Sequence, residues 1–337
     1  MPKTAVVILN WNGADFLRQF LHKLLEFTPD EEAEIIIADN ASTDDSVSWL
    51  NLHHPSIRII QLDKNYGFAG GYNEAISQCE HEHILLLNSD VEVTKNWLQP
   101  LLKAIKDKET AAVMPKILSF NNREEFEYAG ASGGFIDKYG YPFCRGRLFD
   151  HLETDKGQHN NSIEVFWTTG ACMLIKREIF TKAGGFDADF FAHMEEIDLC
   201  WRLQRMGMKL KVVPESHVFH VGGGTLSKES TYKLFLNYRN NLFLLYKNLP
   251  DKRVFRIIFA RMILDGASAL MYLLKGQGKL FTTVFKAHIK FHQAKAQLRK
   301  KRQNNPVNET PLTGMYSGSI VLAYFIRRKK KFQDLNL

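Results

Sequence analysis

The apolar positions of the N-terminal third alternate between two periods. Thr4–Leu9 is a short β-branched run, and it is followed by Phe16, Leu17, Phe20, Leu21, Leu24 and Leu25 at helical spacing. Glu34–Ala38 reads as a second strand, with a helix starting near Asp44. Ile57–Leu62 reads as a third, with a helix around Tyr72–Gln78. A fourth strand runs from Ile84 into Asn88, Trp97–Ile105 fits a helix, and Ala111–Met114 fits a fifth strand. This order predicts an α/β fold, a Rossmann-like, mostly parallel sheet flanked by helices on both faces. Residues 119–164 are rich in Gly, Asn and charge and keep no strong period. They read as a mobile insertion or hairpin region near the site.

Polar residues gather where the strands stop. Asn10-Trp11-Asn12-Gly13 follows the first strand and Asp39-Asn40-Ala41-Ser42-Thr43-Asp44 the second. Asn65-Tyr66-Gly67-Phe68-Ala69-Gly70-Gly71-Tyr72-Asn73 follows the third, and Asn88-Ser89-Asp90 ends the fourth. Such residues are ordinary turn formers, so each group alone is weak. In an open parallel sheet, however, all four would line one edge, where ligands bind. Glycines at 67, 70 and 71 would let the backbone approach a ligand closely. Neither a Gly-x-Gly-x-x-Gly fingerprint after the first strand nor a Walker A sequence is present, which removes support for dinucleotide binding and ATP hydrolysis.

Composition adds two points. The four cysteines, Cys79, Cys144, Cys172 and Cys200, are widely spaced; this suits small buried hydrophobes in a reducing cytoplasm better than disulfides or zinc. Ala5–Leu9 is too short an apolar run for a signal peptide. The net charge of +7 conceals a division, because residues 252–337 hold 18 Lys/Arg against 3 Asp/Glu. The preceding residues are therefore acidic on balance.

Taken in order, Val-Val-Ile-Leu-Asn-Trp-Asn-Gly, Ala-Asp-Asn-Ala-Ser-Thr-Asp-Asp-Ser, Asn-Tyr-Gly-Phe-Ala-Gly-Gly-Tyr-Asn and Leu-Leu-Asn-Ser-Asp resemble family 2 glycosyltransferases. The resemblance continues through Thr169-Gly170-Ala171, Gly184-Gly185-Phe186-Asp187 and Met194-Glu195-Glu196-Ile197-Asp198-Leu199-Cys200-Trp201-Arg202, and closes at His220-Val221-Gly222-Gly223-Gly224-Thr225. It spans roughly residues 3–247 and looks nearest to the bacterial rhamnosyltransferase-like subgroup. It implies the GT-A fold and inversion at the transferred sugar. The implied organisation is a catalytic domain over 1–250, with a nucleotide-sugar half (1–115) and an acceptor half (116–250), followed by a basic, amphipathic helical region over 251–337.

The resemblance also implies roles. Asp39 matches the position that recognises the base of a UDP- or dTDP-sugar, and Asn65 and Asn73 match donor-contacting positions. Asn10, Asn12, Gly67, Gly71, Asn88 and Ser89 belong to the same donor crevice. Asp90 matches the last acid of an Asp-x-Asp motif whose first acid is Asn88 here, and would ligate Mg²⁺ or Mn²⁺ together with His220. Glu195-Glu196 matches a Glu-Asp pair whose second member is the catalytic base; that leaves either carboxylate open, with Glu196 in the matching place. A base at a helix start would be rigidly aimed, but the dipole would lower its pKa. Asp198 and Arg202, at i and i+4, read as a structural pair.

Val254–Leu274 is apolar but interrupted by Arg256, Arg261 and Asp265, which argues against a spanning helix. Basic residues interleaved with Leu, Phe, Tyr and Met beyond it suggest helices lying on an anionic membrane surface, peripheral at the inner face of the plasma membrane. Nucleic-acid binding finds no motif. A surface on the membrane would suit an acceptor saccharide built on a lipid carrier. Two other functions remain in view: a sugar nucleotidyltransferase, whose basic phosphate loop after strand one is missing, and a non-catalytic glycan- or nucleotide-sugar-binding relative. A processive synthase lacks its Gln-x-x-Arg-Trp motif.

Overall fold

The computed structural model describes residues 2–222, 230–304, 311–335 and 337. The first half reads β1 (Thr4–Asn10), α1 (Ala14–Phe27), β2 (Ala33–Asp39), α2 (Ser46–His53), β3 (Arg58–Gln61), α3 (Gly67–Ser77), β4 (His83–Asn88), β5 (Val91–Val93), α4 (Leu98–Ala104) and β6 (Thr110–Ser119). Then come β7 (Gly134–Asp137), β8 (Pro142–Cys144), β9 (Arg147–Leu148), β10 (His151–Leu152), β11 (Ile163–Glu164), β12 (Cys172–Lys176), α5 (Arg177–Lys182), α6 (Glu195–Arg205) and β13 (Lys209–His220). Three long helices follow, α7 (Thr231–Asn248), α8 (Asp251–Leu274) and α9 (Gly278–Asn304), and a last strand, β14 (Met315–Tyr316).

A nine-stranded sheet runs in the order β3-β2-β1-β4-β12-β6-β13-β11, with β5 paired to β13. The strands β3, β2, β1 and β4 are parallel, as the strand-helix alternation predicts, whereas β12 inserts antiparallel between β4 and β6. Both faces of this sheet are covered, so β1, β2 and β4 are near-continuous apolar runs with almost no solvent contact. Helix α1 shows how the covering works: Leu17, Phe20, Leu21 and Leu24 recur every three to four residues and are buried together. The four cysteines are buried and free.

Register delivers the polar strand ends to one edge. Asn10 lies opposite Asp39, Asp39 opposite Gln61, and Leu9 opposite Asn88. On the far side, β13 places His220 beside Val91 of β5, one residue after Asp90. A single hydrogen bond from Val221 N to Asp90 O, 3.0 Å, ties the two together.

Of the two alternatives for residues 119–164, the hairpin one holds: β7, β8, β9 and β10 pair antiparallel in succession, and β10-β9-β8-β7-β14 form a second sheet. Strands of two to four residues are too short to carry a legible period. The helix expected around Tyr72 starts at Gly67 instead, so the glycine-rich stretch is helical and not a loop. Helix propensity argues against three glycines in its first two turns, and packing explains them. A Cβ on Gly71 would sit 2.8 Å from Leu9 Cδ1, and one on Gly70 2.9 Å from Tyr66 Cβ.

Candidate active site

A cavity of about 440 Å³ opens at the polar edge of the main sheet. Trp11, Asn12 and Gly13 line it from β1, Asn65, Gly67 and Phe68 from the start of α3, and Asn88, Ser89 and Asp90 from the end of β4. Glu195 and Glu196 enter from the N-terminus of α6, and His220 from the end of β13. Its size suits a ligand larger than a metabolite fragment.

The predicted donor residues divide into two sets. Asn12, Asn65, Gly67, Asn88, Ser89 and Asp90 face the cavity. Asn10, Asp39, Gly71 and Asn73 are not among its lining residues, and each has structural work instead. Asn10 Nδ2 donates to Asp39 Oδ1 at 3.0 Å and to Ser46 Oγ at 2.9 Å, while Asp39 Oδ2 accepts from Ser42 N at 3.0 Å. Asn73 clasps Phe186, donating to its carbonyl at 2.8 Å and accepting from its N–H at 2.9 Å. Gly71 packs against Leu9 and Asn40. Asn40 itself donates to Asn65 Oδ1 at 3.1 Å, and Asn65 Oδ1 also accepts from Gly67 N at 2.8 Å, which fixes the mouth of the crevice.

At one wall, His220 Nε2 lies 3.1 Å from Asp90 Oδ1 and Nδ1 lies 3.4 Å from Glu127 Oε2. All three side chains are buried. Burial opposes the imidazolium, but Asp90 and Glu127 outweigh it and push His220 up to about 10. Burial would likewise raise Asp90, yet His220 holds it below the usual carboxylate range. A buried cation between two carboxylates is the electrostatics a divalent ion would find. Among the described residues no three His, Cys, Asp or Glu side chains form a complete metal cage. Asp90 and His220 would therefore supply part of a coordination shell, the remainder coming from a ligand's oxygens and water. Glu127 sits behind His220 in the manner of a partner that orients a ligating imidazole. Glycines 223 and 224 and Thr225, which close the resembling motif, lie outside the described residues.

Two further carboxylates line the same cavity from the start of α6. Neither Glu195 Oε2 nor Glu196 Oε2 has a hydrogen-bond partner, although both are buried. Such unpartnered carboxylate oxygens are costly for a fold and characteristic of reactive sites. Burial pushes Glu196 up to about 7, against the backbone N–H groups of its helix start, which lower it. Glu195 is driven well above the ordinary range by burial and then by the charge of Glu196. The helix start lowers this pKa, as its position predicts, but desolvation is the larger effect and the net shift is upward. Asp198, two residues on, behaves oppositely. Despite burial, Lys247 and Arg202 keep it well below the usual carboxylate range, with Arg202 Nε donating to its Oδ2 at 2.9 Å. The i, i+4 pair is structural, as its spacing predicts.

Residues of the cavity that no single motif marks are Glu127, Tyr128, Phe191, His193, Tyr232 and Lys233. Glu127 and Tyr128 belong to the segment without a period, and Tyr232 and Lys233 begin α7.

A mixed sheet with a polar edge, and a cavity on that edge lined by Asp90, His220, Glu195 and Glu196, has the architecture of the GT-A glycosyltransferases. The family model for glycosyl transferase family 2 matches residues 5–184, and the chain belongs to that family. The low-salt glycan biosynthesis hexosyltransferase of Haloferax volcanii is 25% identical over 268 residues, covering 77% of this chain and 80% of that one. The N-acetylglucosaminyl-diphospho-decaprenol L-rhamnosyltransferase of Mycobacterium tuberculosis is 22% identical over 256 residues, covering 71% and 83%. Among solved structures, GalNAc-T7 with UDP, GalNAc and Mn²⁺ superposes with a TM-score of 0.59 at 18% identity, covering 74% of this chain and 49% of that one.

Proposed function

We propose that the protein transfers one sugar from a UDP- or dTDP-sugar to a hydroxyl of a saccharide or lipid-linked saccharide, with inversion, in surface polysaccharide synthesis. One observation carries this reading: a single cavity brings Asn88-Ser89-Asp90 and His220 together with Glu195 and Glu196, each of which has a buried carboxylate oxygen without a hydrogen-bond partner. The rhamnosyltransferase relative, whose name specifies a lipid diphosphate acceptor, supports the choice of acceptor class.

The chemistry follows from charge. An acceptor hydroxyl is a weak nucleophile near neutral pH, and a base must take its proton as it attacks the anomeric carbon. Glu196 suits that role, because a carboxylate raised to about 7 is both substantially ionised and basic at that pH. Glu195 beside it is also raised well above the ordinary range, by burial and then by the charge of Glu196. Attack opposite the leaving group inverts the anomeric centre. Asp90 and His220 would hold a Mg²⁺ or Mn²⁺ ion, which when bound supplies positive charge for the departing diphosphate. Asn65 and the Gly67 turn line the adjoining crevice where the nucleotide would lie.

The C-terminal helices favour a membrane-surface location. Helix α8 leaves Phe255, Phe259, Ile263, Leu270 and Leu274 exposed along one side, Phe255 at 79% and Leu274 at 80%. Exposed Lys252, Arg253, Arg256 and Lys275 accompany the stripe. By length and hydropathy alone α8 could cross a bilayer. Its other side argues otherwise. Arg261 Nε donates to Asp265 Oδ1 at 2.7 Å, and His288 Nε2 of α9 lies 3.2 Å from Asp265 Oδ2, all against the protein body. A helix so anchored lies in the interface rather than across it.

Calorimetry with UDP, dTDP, GDP and ADP, each with and without Mn²⁺, tests the donor site. Metal-dependent binding of UDP or dTDP that disappears in Asp90→Ala is the expected result. Binding of none of them would reject the transferase reading in favour of a non-catalytic relative.

A further inference from the structure

The segment that leads into the two carboxylates has an unusual backbone. Phe191, His193 and Met194 all have positive φ, at 65°, 69° and 74°, and none is glycine. Ala192 N donates to Phe190 O at 2.8 Å, closing a γ-turn on Phe191, whose φ and ψ of 65° and −61° are the strained form of that turn. Such geometry persists only where surroundings over-determine it.

The surroundings are two residues of α7. Asn240, fully buried, donates through Nδ2 to the carbonyls of Phe190 at 2.9 Å, Ala192 at 2.9 Å and His193 at 2.7 Å. Its Oδ1 accepts from Arg239 Nε at 2.9 Å, which fixes the orientation of the amide. Arg239 in turn donates to the carbonyls of Asp189 at 2.9 Å and Phe190 at 3.0 Å. On its other side the turn touches the donor crevice, because Ala69 N donates to Phe191 O at 3.1 Å. Four carbonyls of this segment, those of Asp189, Phe190, Ala192 and His193, are gathered by one amide and one guanidinium.

We infer that Asn240, supported by Arg239, is a positioning residue that holds the turn 190–194 so that α6 presents Glu195 and Glu196 to the cavity. The inference rests on the reading of Glu196 as the base. It adds that the base is aimed from α7, a helix that no motif of the active site includes. Without the clamp the strained turn relaxes, the start of α6 shifts, and the carboxylates meet water.

The test compares wild type with Asn240→Ala and with Asn240→Asp, the latter equal in size but presenting an oxygen to the three carbonyls. Amide hydrogen exchange over 190–198 is expected to quicken about tenfold or more while β1 and β4 stay protected. Sugar release from UDP-glucose and dTDP-rhamnose should fall about 10²-fold, as for a misplaced catalytic group, with UDP and dTDP affinity in Mn²⁺ within about twofold. The acid limb of turnover, and the carboxyl titration of ¹³C-labelled Glu196, should move to lower pH as the group becomes hydrated. Unchanged exchange and titration would overturn the inference, and so would a parallel loss of nucleotide affinity, which marks general damage to the fold. Arg239→Gln removes the two bonds to the turn and the one that orients Asn240, and gives the same signs at smaller size should Asn240→Ala fail to fold. Activity surviving in Glu196→Gln sinks the base reading itself; an inactive Glu196→Gln beside active Asn240 variants sinks only the clamp.

Discussion

At the residue scale, the site is a contrast among acids that differ only in their neighbours. Asp198 has Lys247, Arg202 and Asn248 and is fully committed. Glu196 has burial without a cation and is left basic. The pH dependence follows with its sign. The folded pKa of about 7 lies above the ordinary carboxylate value, so turnover is expected to fall as pH drops through about 7. The same shift means the folded state binds more protons than the unfolded one between the two values, and stability declines as pH rises across that window. Glu196→Gln should therefore lose turnover by at least about 10²-fold. It should also raise Tm by a few degrees at pH 8, a gain that vanishes below pH 5. A Gln variant as labile as wild type at pH 8 would contradict the buried charge. Much of this was legible in the chain: the order Asn88-Ser89-Asp90, Glu195-Glu196, His220 marks the cavity's other acids and His220 but neither Glu127 nor Lys233. Glu127 was hidden because its neighbours form a bridge and short strands without a period, and only the tertiary fold brings it 3.4 Å from His220.

At the scale of elements, the parallel half of the sheet was readable because a doubly covered strand must be apolar throughout, and a run such as Ile84-Leu85-Leu86-Leu87 has no other comfortable home. The antiparallel insertion of β12 was not, since pairing order is a long-range outcome. The start of α3 misleads for a different reason. Gly67 adopts a φ of 71°, and a Cβ there would lie 2.5 Å from Phe191 Cδ2 and 2.6 Å from the Phe191 carbonyl oxygen. Glycine here permits contact between the donor crevice and the turn that leads to the carboxylates, at some cost to helix propensity. Gly67→Ala is expected to destabilise the protein by about 1–3 kcal/mol, the usual range for overpacking. It should weaken UDP or dTDP binding as well, because the substitution forces apart two linings of one cavity. Urea denaturation and calorimetry check the two effects; an unaltered midpoint would mean that the turn yields freely, against the clamp on its carbonyls.

At the scale of the whole molecule, charge is segregated along the chain, and most of the exposed large apolar side chains among the described residues lie in the basic part. Besides the α8 stripe, Leu322, Phe325 and Ile326 are exposed immediately before Arg327, Arg328, Lys330 and Lys331. Two such patches predict binding to vesicles containing phosphatidylglycerol but not to phosphatidylcholine alone, weakening as salt rises beyond about 0.15 M, where surface charges are screened within about 8 Å. Phe259→Ser with Ile263→Ser should reduce flotation with anionic vesicles and leave nucleotide binding intact. Equal flotation of wild type and variant would assign the stripe to something other than lipid. The sequence pointed to this region through its charge count, but which apolar residues are exposed became visible only with α8 packed.

The last strand has a consequence for synthesis. Met315–Tyr316 pairs with β7, Ile320 N reaches Asp137 Oδ2 at 2.9 Å, and Thr313 N donates to Gln204 Oε1 of α6 at 2.8 Å. The second sheet and the helix carrying Glu195 and Glu196 are thus completed by a segment made about 170 residues after β8. At typical translation speeds that is a delay of roughly 10–35 s. Within that interval α7, α8 and α9 are all made before the strand that completes the second sheet. The three long helices therefore exist as chain before the second sheet can close and before Gln204 of α6 has its partner at Thr313.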